Sequence, residues 1–207
     1  MVRHELGKWN LDELAKNPNR AIIDKKLARI ESDSKRFEKI KKSLNPKVSS
    51  GKFLKLLHDV ENIAEKSSVI GGYASLRYSE NTQSDEATAL LTRISKFGSD
   101  IENRLLFFDL WWKRQVDEKN AKRLIKSAGQ FSEYLRFKRL LAKYSLSEPE
   151  EKIINTLDVT GASALVKLYD KITNAYVYTI TVDGKKRTMN REQLTTLVRS
   201  KKAKTRE

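Results

Sequence analysis

The sequence predicts a mainly α fold, an antiparallel array of long helices with one β-hairpin near the carboxyl end. Three observations predict it. Only 8 Gly and 3 Pro interrupt the 207 residues, so long helices are expected. Apolar residues recur at a spacing of three and four through most of the chain. Near its end, AYVYTITV is rich in β-branched and aromatic residues and leads into Asp183-Gly184, a hairpin turn signal.

The first helices are predicted from their capping residues. Asn10 and Glu13 have the spacing of a capping box that opens a short helix. Asn17 is expected to cap a longer helix with Pro18 in its first turn, where the missing N–H costs nothing. Ser34 interrupts the apolar stripe of this helix. The stripe otherwise consists of Ile23, Leu27, Ile30, Phe37 and Leu44.

Two long helices follow. Ser49 or Ser50 starts the first, which we expect to run to Tyr78. Ser84 is predicted to cap the longest element of the chain, and some 30 residues of helix span about 45 Å. The apolar stripe of this element is Ala87, Leu90, Leu91, Ile94, Phe97, Ile101, Leu105, Phe108 and Trp112.

Further helices are predicted on both sides of the hairpin. One extends over about 118–144, and a pair of helices covers about 148–160 and 161–174. Asn190, with Gln193 three residues later, caps a last helix that stops at KKAKTRE. The inward positions of the 118–144 helix are Ala121, Leu124, Ala128, Phe131 and Leu135.

The acidic stretch LSEPEE, at 146–151, permits two interpretations. Glu148, Glu150 and Glu151 could form a catalytic carboxylate cluster, but such a cluster needs a cleft and a raised pKa on one member. Alternatively, Ser147 is an N-cap and Glu150 is the N3 acid of a capping box. Negative charge near a helix N-terminus also suits the helix dipole. We therefore interpret the stretch as the start of a helix.

The composition restricts the class of protein. There is no cysteine, which excludes disulfides, thiolate zinc sites and a cysteine nucleophile. MVRHELGKWNLDELAK has no apolar run that could serve as a signal peptide, and no stretch approaches the ~20 apolar residues of a membrane span. We therefore expect a cytoplasmic protein with no membrane partner.

The net charge of +15 requires a nucleic-acid partner to be considered. Residues 25–52 and 113–143 each carry ten Lys/Arg against three acids, and residues 184–207 carry nine against two. Residues 59–102, by contrast, have four basic residues against eight acids. Solvated helix faces are the commonest use of Lys and Arg, so we favour that interpretation. One phosphate-tracking stripe is the alternative.

The two histidines indicate no metal or catalytic site. His4-Glu5 would need a second His one helical turn later to resemble a zincin motif, and position 8 is Lys. His58 is predicted to be a surface or boundary residue of a helix. No nucleophile-elbow sequence, P-loop or Rossmann glycine fingerprint accompanies them.

Four aromatic residues, Phe107, Phe108, Trp111 and Trp112, are candidates for base stacking or for a contact surface. Adjacent residues on a helix point about 100° apart, so we expect one of each pair to face the core. Core or inter-lobe packing is the interpretation we favour for them.

Several stretches together resemble the oligoendopeptidase F family of zinc metallopeptidases. In that family Trp-Asn-Leu lies near the start, and Leu-Ser-x-x-Glu-Glu precedes Thr-Gly after a series of long helices. The stretches that carry the resemblance are Trp9 to Leu11, GGYASLRYSENTQ (71–83), RLLFFDLWWK (104–113), LSEPEEKIINTLDVTGASALVKLYDKITNAYVY (146–178) and DGKKRTMNREQL (183–194).

The resemblance implies only the amino-terminal lobe of such an enzyme. The family's catalytic lobe carries His-Glu-x-x-His, whose imidazoles bind zinc with a carboxylate and whose Glu activates water. This chain has no such motif. No catalytic or metal-binding residue is therefore assigned, and substrate-binding residues stay unknown. Zinc is expected only in the complete family enzyme.

The resemblance also implies a domain division and a partner. Residues 1–146 would form a long-helix lobe, and residues 147–207 would form the helix pair, the hairpin and the start of a connection to the catalytic lobe. A separate catalytic lobe is the implied partner, and short peptides are the substrates of the intact enzyme. The chain alone is predicted to be inactive. A basic nucleic-acid-binding protein and a self-contained helical interaction protein are the alternatives.

Overall fold

The fold is mainly α-helical, with one antiparallel hairpin near the carboxyl end, as predicted. The computed structural model describes residues 10–15 and 18–206. The predictions made for His4, Trp9 and Asn17 lie outside these residues. No helix in the described part of the chain combines the length and the apolar character that a membrane crossing requires.

The secondary structure elements follow one another with short connections. The α-helices are α1 Arg20–Glu38, α2 Ser50–Glu80, α3 Asp85–Leu110, α4 Glu118–Lys126, α5 Ser132–Leu140, α6 Glu148–Thr160, α7 Ala162–Asn174, α8 Arg191–Thr196 and α9 Ala203–Arg206. The strands are β1 Val177–Val182 and β2 Lys185–Asn190. A π-helical turn covers Trp111–Gln115, and 3₁₀ turns cover Lys39–Ser43, Gly129–Phe131, Leu141–Tyr144 and Leu197–Arg199.

The amino-terminal caps differ from those predicted. Helix α1 is capped by Asn19, whose Oδ1 accepts a hydrogen bond from the backbone N–H of Ile22 at 2.9 Å. Pro18 therefore precedes the helix and does not occupy its first turn. Asn10 accepts from the N–H of Asp12 at 2.9 Å, which forms a local turn where a short helix was expected. Asparagine satisfies backbone donors in turns as well as at helix ends, so the pattern alone did not separate the two.

The caps of the long helices are confirmed. The hydroxyl of Ser49 accepts from the N–H of Lys52, and that of Ser84 accepts from the N–H of Ala87. The longest helix, however, is α2 with 31 residues, and α3 has 26. Helix α3 is shorter because its hydrogen-bond pattern widens into the π turn that follows.

The core lies where α1 and α2 both pack on α3, and it contains all four aromatic residues in question. Phe107, Phe108, Trp111 and Trp112 are each 2–7% exposed. The prediction that one of each pair faces outward is therefore wrong. Phe107 lies 5.8 Å from the ring of Phe37 on α1, whereas Trp112 stacks on Phe53 of α2 at 5.2 Å. Because α3 is covered from two directions, adjacent side chains can both be buried.

Ser34, the polar interruption of the α1 stripe, is fully buried. Its hydroxyl donates to the backbone oxygen of Glu31 at 2.9 Å and accepts from a guanidinium nitrogen of Arg104 at 2.8 Å. The serine therefore gives α3 a polar attachment to α1 in the middle of an apolar interface.

The helix predicted over 118–144 is divided into α4 and α5. Gly129 adopts φ +56°, a left-handed conformation that ends a helix and that glycine reaches without strain. The hydroxyl of Ser132 then donates to the carbonyl of Ile125 at 2.9 Å, which satisfies an acceptor freed by the break. The predicted inward residues Ala121, Leu124, Ala128 and Leu135 are buried, and Phe131 is partly buried against the core.

The predicted hairpin and its turn are confirmed. Asp183 and Gly184 have φ of +52° and +75°, as a two-residue turn with both central residues left-handed requires. The pairing runs from Val177 opposite Asn190 to Val182 opposite Lys185. Asn190 also forms the predicted capping box of α8, but KKAKTRE contains the additional short helix α9, which was not expected.

Candidate functional site

Of the candidate residues, the structure describes His58 and the carboxylates at the start of α6. His58 is half exposed, and its Nδ1 lies 3.1 Å from a carboxylate oxygen of Glu61, as suits the predicted boundary residue. Its ring meets Phe131 edge-on at 5.1 Å. Within 10–15 and 18–206, no group of three or more His, Cys, Asp or Glu side chains converges as a metal site would require. These residues therefore do not fit the zinc site of the family enzyme.

The carboxylates at the start of α6 serve the helix end. Glu150 accepts hydrogen bonds from the backbone N–H of Ser147 at 2.8 Å and from its hydroxyl at 2.6 Å. These bonds hold the pKa of Glu150 below its ordinary value. Glu151 accepts from the N–H of Leu146 at 2.8 Å. A general acid would need a raised pKa, so the helix-start interpretation is confirmed.

Glu148 joins the start of α6 to the 3₁₀ turn that follows α1. Its carboxylate accepts from Lys152 at 2.7 Å and from Lys41 at 2.8 Å. The hydrogen bonds from Lys152 and Lys41 lower the pKa of Glu148 below its ordinary value. The pair with Lys41 connects elements far apart in the sequence and anchors α6 beside the core.

Replacing Glu148 with Gln is expected to lower the free energy of unfolding at neutral pH by about 0.5–1 kcal/mol, because the ion pairs are partly exposed. A depressed carboxylate pKa stabilises the fold at pH values above the unfolded pKa of about 4.3, and this contribution disappears as pH falls through the folded pKa. The difference between wild type and E148Q should therefore vanish in acid. Urea unfolding at several pH values measures it. Glu192→Gln, an exposed charge on α8, is the control; a deficit that persists in acid would contradict the assignment.

Helix α6 contacts α3 through polar groups. The hydroxyl of Ser99 donates to the backbone oxygen of Asn155 at 3.0 Å. The side-chain amide of Asn155 donates to that of Asn103 at 3.0 Å, and Asn103 donates to the hydroxyl of Thr156 at 3.3 Å. No residue of α6 is buried. The helix is therefore fastened to the bundle by hydrogen bonds along its side.

Helix α7 also turns polar groups toward the bundle. The hydroxyl of Tyr78 donates to the backbone oxygen of Lys167 at 3.1 Å, and the ammonium of Lys167 donates to Ser95 at 3.3 Å. One turn later, the ammonium of Lys171 pairs with Asp85 at 2.9 Å. Two lysines of α7 thus lie against α2 and α3, where an amphipathic surface helix would normally place apolar side chains.

Gly161 permits the tight connection between α6 and α7. A Cβ at this position would lie 2.7 Å from the backbone oxygen of Leu157, closer than real Cβ atoms approach. The N–H of Gly161 donates to that same oxygen at 2.7 Å. Glycine is therefore required at this position, and it allows α7 to begin one residue after α6 ends.

Eight large apolar side chains of α6 and α7 face solvent. They are between 48% (Ile172) and 67% (Leu165) exposed, and no residue of either helix is buried. Within the described residues, every large apolar side chain classed as exposed falls between 134 and 198. We call the following residues the α6–α7 apolar surface: Ile153, Ile154, Leu157, Leu165, Val166, Leu168, Tyr169 and Ile172.

This arrangement can bind an apolar surface but offers no reacting group. Apolar area contributes about 25 cal/mol per Å² when it is removed from water, so covering the α6–α7 apolar surface would be favourable. Large exposed apolar patches on proteins usually mark interaction sites. Phe107, Phe108, Trp111 and Trp112, which the sequence also offered as a contact surface, fill the core instead, in agreement with the packing interpretation favoured for them.

The comparisons with known proteins agree with the resemblance found in the sequence. A family model described as oligopeptidase F matches residues 114–177. Among solved structures, oligoendopeptidase F from Enterococcus faecium is similar with a TM-score of 0.66 and 18% identity, over 88% of this chain. The chain spans 35% of the length of that structure. No curated protein matches. The predicted resemblance to the oligoendopeptidase F family is thereby confirmed.

Proposed function

We propose that this chain acts as the non-catalytic amino-terminal lobe of an oligoendopeptidase F-like peptidase and binds a catalytic part through the α6–α7 apolar surface. The observation that carries the proposal is the orientation of α7, which places Lys167 and Lys171 against the bundle and Leu165 and Leu168 in solvent. Such an orientation is unfavourable for an isolated lobe but suits one that is covered by a second apolar surface.

In this proposal the lobe helps to enclose the peptide substrate. Together with the catalytic part it would form one wall of a chamber that admits only short unfolded peptides, as the family resemblance implies. The catalytic part would supply the zinc ligands and the hydrolytic chemistry, and this chain would supply packing and substrate restriction. We place the protein in the cytoplasm, on the composition alone.

The first test starts from the DNA that follows codon 207. A reading frame there should encode His-Glu-x-x-His, and its product can be expressed separately. We expect the two proteins to form a complex in size-exclusion chromatography and to hydrolyse a short fluorogenic peptide only when mixed. A chelator should abolish the activity.

A surface variant makes the test specific to the proposed interface. The double substitution of Leu165→Gln and Leu168→Gln should weaken the complex tenfold or more, because two apolar contacts are lost and polar groups are introduced. Leu140→Gln, at a side chain that is 71% exposed on α5, is the matched control. The proposal would be contradicted if the double substitution left the affinity of the complex unchanged, or if the downstream sequence lacked a peptidase motif.

A further inference from the structure

A groove of about 710 Å³ lies between α2, α3 and α5. It shares no residue with the α6–α7 apolar surface, although Asn155 of α6 is among its lining residues. Its volume falls within the range of about 300–1,000 Å³ that is usual for ligand sites. Four of its lining side chains are buried core residues, which makes the floor rigid. They are Leu57, Phe108, Trp112 and Leu135.

The walls of the groove are helical faces. Leu57, Val60, Glu61 and Ala64 follow the spacing i, i+3, i+4 and i+7 on α2, which places them on one side of that helix. Tyr134 stands on α5, where its side chain is 51% exposed. The apolar side chains along these helical faces can contact the side chains of an extended or helical peptide.

Carboxylates give the groove its polarity. Glu102 on α3 makes no ion pair with any described residue, and the partial burial of its carboxyl, together with nearby Asp158, raises the pKa of Glu102. Glu61, on α2, has the half-exposed ring of His58 as its ionic partner among the described residues. Asp109, by contrast, pairs with Lys113 and with Lys138, and Lys138 also lines the groove, so the lining carries three carboxylates and one ammonium group.

The groove is therefore acidic on a protein whose net charge is +15. The segment 59–102, which supplies Glu61 and Glu102, carries four basic residues against eight acids. A cationic group placed near Glu102 would give this exposed carboxylate the ionic partner that it lacks among the described residues. The charge and the shape of the groove thus favour the same kind of ligand. Such a ligand is apolar along most of its length and carries one positively charged group.

We propose that this groove binds a short peptide whose apolar side chains cover Leu105, Leu106 and Tyr134 above the buried floor and whose Lys or Arg side chain pairs with Glu102. The peptide nature of the ligand rests on the proposed function, and the preference for a basic side chain deepens it. Binding at the groove does not require the catalytic part, so the two proposals can fail separately.

The test uses the full chain alone and two fluorescent pentapeptides with blocked ends. One has the sequence Leu-Phe-Lys-Phe-Leu, and in the other the lysine is acetylated. Fluorescence anisotropy at about 0.15 M salt, where long-range attraction is largely screened, should show the lysine peptide binding about tenfold more tightly. A charge-assisted hydrogen bond accounts for a preference of that size.

Glu102→Gln should remove the preference, lowering affinity for the lysine peptide about tenfold and leaving the acetylated peptide unchanged. Glu86→Gln makes the same charge change about four turns away on α3 and should alter neither affinity. Unchanged near-ultraviolet circular dichroism confirms folding of both variants. The proposal is overturned if neither peptide binds, if both bind equally, or if E86Q acts like E102Q.

Discussion

The purified chain is expected to bind a hydrophobic dye in its native state and to self-associate as the salt concentration rises. The α6–α7 apolar surface provides the contact area, since its side chains are exposed and the helices beneath it are held by hydrogen bonds. The net charge of +15 opposes association at low salt. Salt weakens this repulsion, because the Debye length falls to about 10 Å at 0.1 M.

Light scattering across a salt series, together with dye fluorescence, measures both effects. The double substitution Leu165→Gln and Leu168→Gln should abolish self-association and most dye binding, while Leu140→Gln should change neither. A catalytic part that binds the same surface should suppress both as well. A clean monomer at about 0.5 M salt without dye binding would favour a self-contained helical protein, because repulsion is then screened within about 4 Å.

Local signals in the sequence were reliable where one residue satisfies one backbone group. Ser49 and Ser84 cap their helices, and Asp183-Gly184 forms the predicted hairpin turn. Each depends on side-chain chemistry within three residues, so tertiary contacts do not alter it. Gly129 shows the limit, because a glycine in a helical period either tolerates the helix or ends it, and its φ of +56° becomes known only in the fold.

The candidate surface could not be predicted in the same way. The spacing in α7 shows that an apolar stripe exists, but spacing carries no information about which side of the helix meets the bundle. That side is decided by partners distant in the sequence, such as Asp85 for Lys171 and Tyr78 for the carbonyl of Lys167. The groove could not be predicted for the same reason, since its walls come from three separate helices whose packing the sequence pattern does not specify.

The two adjacent tryptophans offer a prediction about the core. The indole N–H of Trp112 donates to the backbone oxygen of Leu135 at 3.0 Å in a buried setting, and the guanidinium of Arg139 lies 5.6 Å from its ring. Trp111 is buried as well, but its indole N–H finds no acceptor among the described residues. The same side chain is therefore a satisfied donor at one position and an unsatisfied donor at the next.

Trp112→Phe is therefore expected to lower the free energy of unfolding by about 1–3 kcal/mol more than Trp111→Phe. Both substitutions remove the same volume, so each serves as the control for the cavity term of the other. At position 112 the change leaves the carbonyl of Leu135 without its donor, whereas at position 111 it removes a donor that had cost energy to bury.

Urea unfolding of both variants, with unchanged m-values, measures the difference. Equal losses would mean that the bond from Trp112 to Leu135 contributes nothing beyond packing. A larger loss at Trp111 would mean that its indole N–H has a partner. The first result would mean that this bond does not fix α5 to the π-helical turn after α3. The floor of the peptide groove would then be held by packing alone, because Trp112 and Leu135 line that groove together.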